Sequence, residues 1–161
     1  RLGLGPIMGH HVLVITTVGR KSGLPRHTMT EYHVLEGRTY VPCAFGTQAD
    51  WYKNMLANPY VTVQTWQAPE RMKASRVTDS QELLDIIKVF RKRNGVMLDW
   101  YLDSLGLEDG RPETILANKD LIHIIRFDPT TEPTPFPLQV DLAWIWPVLL
   151  LFTRLWPRRR R

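Results

Sequence analysis

Three cations fall between Arg20 and Arg26, in the stretch Gly19-Arg20-Lys21-Ser22-Gly23-Leu24-Pro25-Arg26 that directly follows a β-branched run. These residue types suit an anion. Two glycines let backbone N–H groups turn toward a ligand, Ser22 offers a hydroxyl, and Arg26 can make a forked contact with phosphate. No acidic residue precedes Glu31 to neutralise them. The stretch is not a P-loop, because the glycine spacing differs and no helix follows at the right distance. A charged, solvated hairpin tip would have the same composition, and spacing alone does not separate the two readings.

A second group of residues bears on that choice. Val41 to Gly46 reads VPCAFG, an apolar strand end finishing in glycine, and Trp51, Tyr52 and Asn54 follow at a helix start. An apolar strand edge beside an aromatic pair can line a flat ring, with Asn54 or a backbone amide meeting its polar edge. The same aromatics could instead dock the helix, and at least one of them is expected to do so.

These groups need elements to hold them. His11 to Thr17 is expected to be a buried strand, Val18 to Pro25 a tight turn, and Thr28 to Leu35 the next strand. Glu36-Gly37 predicts a hairpin turn into a strand over Thr39 to Phe45. Asp50 to Ala57 reads as a helix with Asp50 as N-cap and Asn58-Pro59 as its stop. Strands are expected over Tyr60 to Thr65, Glu70 to Val77 and Leu121 to Phe127. Thr78 or Asp79 would cap a helix from Ser80 to about Arg93, and Met97 to Leu105 would form a second short helix containing Trp100 in the core. Together these elements predict a mainly β fold with appended helices, arranged as an antiparallel barrel or sandwich.

Composition sets limits on function. With 161 residues, 43% of them apolar and 23% charged, the chain has enough for one folded domain and is not globally disordered. The single cysteine, Cys43, excludes an intramolecular disulfide and a cysteine-cluster metal site. Cys43 sits in an apolar strand and is expected to be a buried, inert thiol. None of the five histidines pairs in a metal-ligand spacing, so no metal is expected. The net charge is +5, but Arg158 to Arg161 supply four of those charges. A body so near neutral argues against a nucleic-acid surface.

The stretches TTVGRKSGLPRHT and DWYKNMLANPYVTV, in this order and at this separation, resemble the deazaflavin-dependent nitroreductase family, which includes quinone reductases. The resemblance is close over Leu13 to Thr65 and looser to Phe127. It implies a split β-barrel like that of pyridoxamine-phosphate oxidase-like, FMN-binding proteins. The implied activity is hydride transfer from reduced coenzyme F420, with FMN as the alternative cofactor, to a quinone, nitro compound or activated double bond. A non-catalytic flavin- or haem-binding protein is the competing function. By this resemblance Arg20, Lys21, Ser22, Gly23 and Arg26 would hold the phosphate and tail, and Thr28 and Met29 would lie along the cofactor. Cys43, Ala44, Phe45 and Gly46 would approach the ring, and Trp51, Tyr52 and Asn54 would close the pocket. Tyr101 is the candidate on the substrate side. A homodimer is implied as well. Two departures stand out: Thr28-Met29-Thr30 replaces the family's threonine-proline-leucine, and Thr47 to Asp50 is short and slightly acidic.

The expected organisation is a barrel domain over 1–129, a proline-rich linker over 130–141 and an apolar, basic segment over 142–161. Leu142 to Thr153 has no charge and is followed by an arginine cluster, but it is shorter than the roughly 20 residues a spanning helix needs. It has the ingredients of an interfacial helix on an anionic membrane surface. Arg1 to Gly9 lacks the pattern of an export signal. The same residues could instead cover an open barrel face or a dimer partner, so the expectation is a cytoplasmic protein, with attachment to the inner face of the membrane as one of these two readings.

Overall fold

A computed structural model describes residues 12–44, 46–65 and 68–139. The β-branched run Val12–Val18 forms strand β1, with Leu13 and Ile15 fully buried on one face. A turn over 19–24 returns the chain into β2 (Pro25–Glu31), in antiparallel register from Val18↔Pro25 to Val12↔Glu31. Within the turn the Gly19 N–H donates to the Leu24 carbonyl and the Gly23 N–H to the Gly19 carbonyl. Gly23 has a φ of +68°, which a side chain would strain.

The single strand expected over Thr28 to Leu35 is in fact two. β2 ends at Glu31, Tyr32 is buried in the core, and β3 (His33–Leu35) begins on the other side of the sheet. No glycine, proline or other turn residue marks this break, so the sequence hides it. β3 pairs with β4 (Arg38–Pro42) through a hairpin at Glu36-Gly37. A short 3-10 turn (Gly46–Gln48) leads to helix α1 (Asp50–Ala57), and strands β5 (Tyr60–Gln64) and β6 (Pro69–Arg76) form a second hairpin. Helix α2 runs over Ser80–Asp103, α3 over Pro112–Ala117, and β7 over Ile124–Pro129.

All ladders are antiparallel, in the order β2-β1-β5-β6-β7-β4-β3. Tyr32 alone joins the two outermost strands, so the sheet must curl to bring its edges together. Yet no ladder joins β2 to β3 among the described residues. The expected mainly β, split β-barrel class is thus corrected: the sheet is open, and helix and strand take nearly equal shares of the described chain.

Two cores result. Inside the curl lie Leu13, Ile15, Val41, Val61, Val63, Met72, Ile125 and Phe127, together with Tyr52 and Met55 from α1. Outside it, Tyr40 and Ile124 face Leu83, Ile86, Ile87 and Phe90 of α2. β4 and β7 are therefore buried on both faces where adjacent residues enter different cores, as at Tyr40-Val41 and Ile124-Ile125.

Other expectations at the helices also change. Ala49, not Asp50, occupies the α1 cap position and makes no side-chain cap. Asp79 does cap α2, its carboxylate accepting the Glu82 N–H at 2.8 Å. The two helices expected over 80–93 and 97–105 are one run with a non-helical residue at Asn94. The Asn94 carboxamide oxygen accepts the Met97 N–H and its Nδ2 donates to the Glu31 carboxylate. Trp100, expected in the core, is half exposed, because Leu98, Tyr101 and Leu102 take the inward positions of that last stretch. The segment expected as a linker is docked as far as 138. The Thr130 N–H donates to the Arg71 carbonyl, the Thr62 hydroxyl meets Thr134 and Pro135, and Gln64 donates to the Leu138 carbonyl. The expected interfacial segment over 142–161 lies outside the described residues.

Candidate functional site

Where the β1–β2 turn meets α1, an open cleft of about 430 Å³ is lined by Gly19, Arg20, Lys21, Ser22, Arg26, His27, Thr28, Asp50, Trp51 and Asn54. Seven of the residues singled out from the sequence meet here: Arg20, Lys21, Ser22, Arg26, Thr28, Trp51 and Asn54. The turn is tightly closed on itself. A Cβ at Gly19 would lie 2.7 Å from Ser22 Oγ, so only glycine fits without displacing that hydroxyl. Arg26 Nη2 donates to the same hydroxyl at 3.4 Å, which sets serine and arginine side by side.

The turn is fixed to α1 by one asparagine. Asn54 is buried, and its carboxamide oxygen accepts both the Arg20 backbone N–H at 3.1 Å and Arg20 Nη1 at 3.0 Å. Its Nδ2 donates to the Thr17 hydroxyl at 3.3 Å. With both ends engaged, Asn54 holds the turn against β1 and α1. Arg20 is engaged too: Nη2 meets Asp50 Oδ1 at 2.8 Å. That hydrogen bond and charge hold the Asp50 carboxyl below the ordinary range. The cations that face the cleft from the turn are therefore Lys21 and Arg26.

The other residues singled out are elsewhere. Met29, opposite Thr28 in the strand alternation, is exposed and does not line the cleft. Cys43 is fully buried, its thiol donating to the Gly46 carbonyl at 3.1 Å. Phe45 lies outside the described residues. Gly46 has a φ of +49° and approaches the His123 ring. Gly23 shapes the turn without lining the cleft. Trp51 packs partly against the core and flanks the cleft, whereas Tyr52 is buried with its hydroxyl 3.0 Å from His123 Nδ1.

Ala44 and Tyr101 line a second, much smaller cavity of about 30 Å³, with Glu31, His33, Asn94 and Trp100. Tyr101 is buried and its hydroxyl accepts the His123 backbone N–H at 2.9 Å. Burial pushes its phenol well above the ordinary value. Burial, then the charge of Arg76, lowers the His123 imidazole. Through its backbone carbonyl, which accepts the Cys43 N–H at 2.8 Å, His123 fixes the start of the 43–46 turn.

Gly19, Asp50 and His123 were not recognised as site residues from the sequence. Asp50 lies 30 positions from Arg20 and His123 lies 71 from Tyr52, so no local spacing marks either pair. Gly19 was visible only as one of two turn glycines.

The fold is shared with several solved structures. HutZ, the haem storage protein of Vibrio cholerae, matches with a TM-score of 0.54 and 18% identity over 76% of this chain and 83% of that one. A structure described as a domain-swapped dimer gives 0.55 and 18% over 76% and 83%. ChuZ of Campylobacter jejuni gives 0.51 and 13% over 74% of this chain and 48% of that one. No curated protein matches the chain. The family model for F420H(2)-dependent quinone reductases matches residues 3–94, more than half of the chain. The protein belongs to that family.

Proposed function

We propose that this protein is a reductase that takes coenzyme F420, or FMN in its place, in the cleft between the basic turn and α1. The acceptor is a quinone, nitro compound or activated double bond. The observation that carries this reading is the cleft itself: Lys21, Ser22 and Arg26 converge on a turn in which a side chain at Gly19 would displace the Ser22 hydroxyl. That donor set fits a phosphate, with Arg26 as its forked partner. Thr28 would lie along the cofactor, and Trp51 would flank it.

When bound, the deazaflavin supplies a hydride from its central ring. The chain's own contribution is orientation and polarity. Asn54 and Arg20 set the position of the turn against α1, and His123 sets the 43–46 turn on the ring side. Family membership supports this reading. Fluorescence titration of the purified chain with F420 and, separately, FMN tests it, followed by turnover of the reduced complex with a simple quinone. Micromolar binding of one cofactor with quinone turnover is the expected result, and failure to bind either sinks the reading.

A non-catalytic carrier is the second reading, motivated by the fold shared with a haem storage protein. Tight binding without quinone turnover would favour it. A homodimer is proposed from the likeness to a structure described as a domain-swapped dimer, and light scattering tests it. No helix among the described residues is long and apolar enough to cross a membrane. Attachment of the 142–161 segment to an anionic surface remains a proposal that liposome sedimentation tests, loss of binding to neutral vesicles being the expected pattern.

A further inference from the structure

We propose that Asp50 is a specificity residue of the cleft, admitting a ligand with a single phosphate and disfavouring one whose phosphate carries a longer chain of carboxylates. This inference rests on the reading of the cleft as a phosphate site.

Three cations and one carboxylate line the cleft. They are not equally placed. Arg20 is held at both ends of its guanidinium, by Asp50 Oδ1 at 2.8 Å and by Asn54 Oδ1 at 3.0 Å, and its side chain is 26% exposed. The Asp50 side chain is 81% exposed. Asp50 thus withdraws one cation from the ligand and places its own negative charge at the cleft's edge. What remains for an anion is Lys21 and Arg26, a match for the charge of one phosphate. A carboxylate continuing past that phosphate toward α1 would meet Asp50 and an arginine already paired to it, in place of a free guanidinium.

The size of the effect follows from Coulomb's law. Two like charges roughly 6 Å apart in a solvated groove lower affinity by roughly three- to tenfold, and salt screens much of that. The Arg20–Asp50 pair is exposed on the aspartate side, so its loss costs the fold little. Asn54 still holds the backbone of Arg20 when the carboxylate is gone.

The test uses the full chain as wild type, Asp50→Asn and Asp50→Glu. Each is titrated by fluorescence with FMN, which carries one phosphate, and with F420 fractions bearing short and long oligoglutamate tails. In D50N, affinity for the long-tailed fraction is expected to rise roughly three- to tenfold relative to FMN, with the gain shrinking in high salt. D50E keeps the charge and is expected to behave as wild type. An equal change for every ligand, or uniform weakening, would mean that Asp50 only braces the turn, and would overturn the proposal. Wild-type protein that binds neither FMN nor F420 overturns the cofactor reading beneath it. Wild-type protein that binds, with D50N indifferent to tail length, overturns only the role of Asp50.

Discussion

Two arginine–carboxylate clusters in this molecule use the same chemical groups to opposite ends. Between α2 and the sheet, Arg126 Nη1 meets both Glu82 oxygens at 3.0 Å and Nε meets Asp128 Oδ2 at 2.8 Å, while the Tyr40 hydroxyl donates to Glu82 at 2.7 Å. All of these groups are partly or largely buried. At the cleft, Arg20 is as enclosed as Arg126, but Asp50 is 81% exposed where Glu82 is 17%, and Lys21 and Arg26 stand beside the pair. A closed cluster whose acceptors are matched internally fixes one element against another. An open one, with cations in excess, is a place to bind. The difference lies in the burial of the carboxylate and in the balance of charge, since both clusters contain a good arginine–carboxylate contact on a similarly enclosed arginine.

Breaking the closed cluster should have the largest effect. Glu82→Ala leaves Arg126 and Tyr40 without their shared acceptor and is expected to cost about 3 kcal/mol in urea unfolding. A cost near zero would place this cluster with ordinary surface ion pairs. The same region carries a pH signature. Burial, followed by the hydrogen bond to Glu82, raises the Tyr40 phenol from 10.0 to about 12. Because the folded value is the higher one, its contribution to stability is complete below pH 10 and is lost as pH rises through about 12. Tyr40→Phe should remove that alkaline loss.

At the open cluster, Arg26→Ala is expected to weaken cofactor binding by about 2 kcal/mol, near thirtyfold, with little change in folding stability. Unchanged affinity in folded R26A would return the turn to a solvated surface. Asn54→Ala sharpens the comparison by removing the brace without touching a cation. It is expected to cost about 1 kcal/mol of stability and to loosen cofactor binding through the turn's position. Cys43→Ser should have the smallest effect, under about 1 kcal/mol, since a hydroxyl can make the same contact with the Gly46 carbonyl. Loss of activity in folded, cofactor-loaded C43S would give the thiol a chemical part.

Much of this was legible because it is local. The β1–β2 turn, the hairpin at Glu36-Gly37, the Asp79 cap and the α1 stop at Asn58 each follow from a few adjacent residues. The convergence of Arg20, Lys21, Ser22 and Arg26 with Trp51 and Asn54 was legible through two motifs at a fixed separation. What could not be read depends on distant partners. The break at Tyr32 carries no turn residue, so only the sheet order reveals it. The bracing role of Asn54 is not local either, since its partners Arg20 and Thr17 lie more than thirty residues away. α3 was missed because its six residues are too few to show a helical period.

The position of β7 has a consequence for how the chain is made. The ladders of β2, β1, β5 and β6 form one block, and β3 with β4 forms another; only β7, pairing with β6 on one side and β4 on the other, joins them. Among the described strands it is also the last to leave the ribosome. The hairpins can close as they emerge, but the sheet has no continuous form until Pro129 has been synthesised. Until then the nascent protein carries two unmatched edges, at β6 and at β4, each ready to pair with a neighbouring chain.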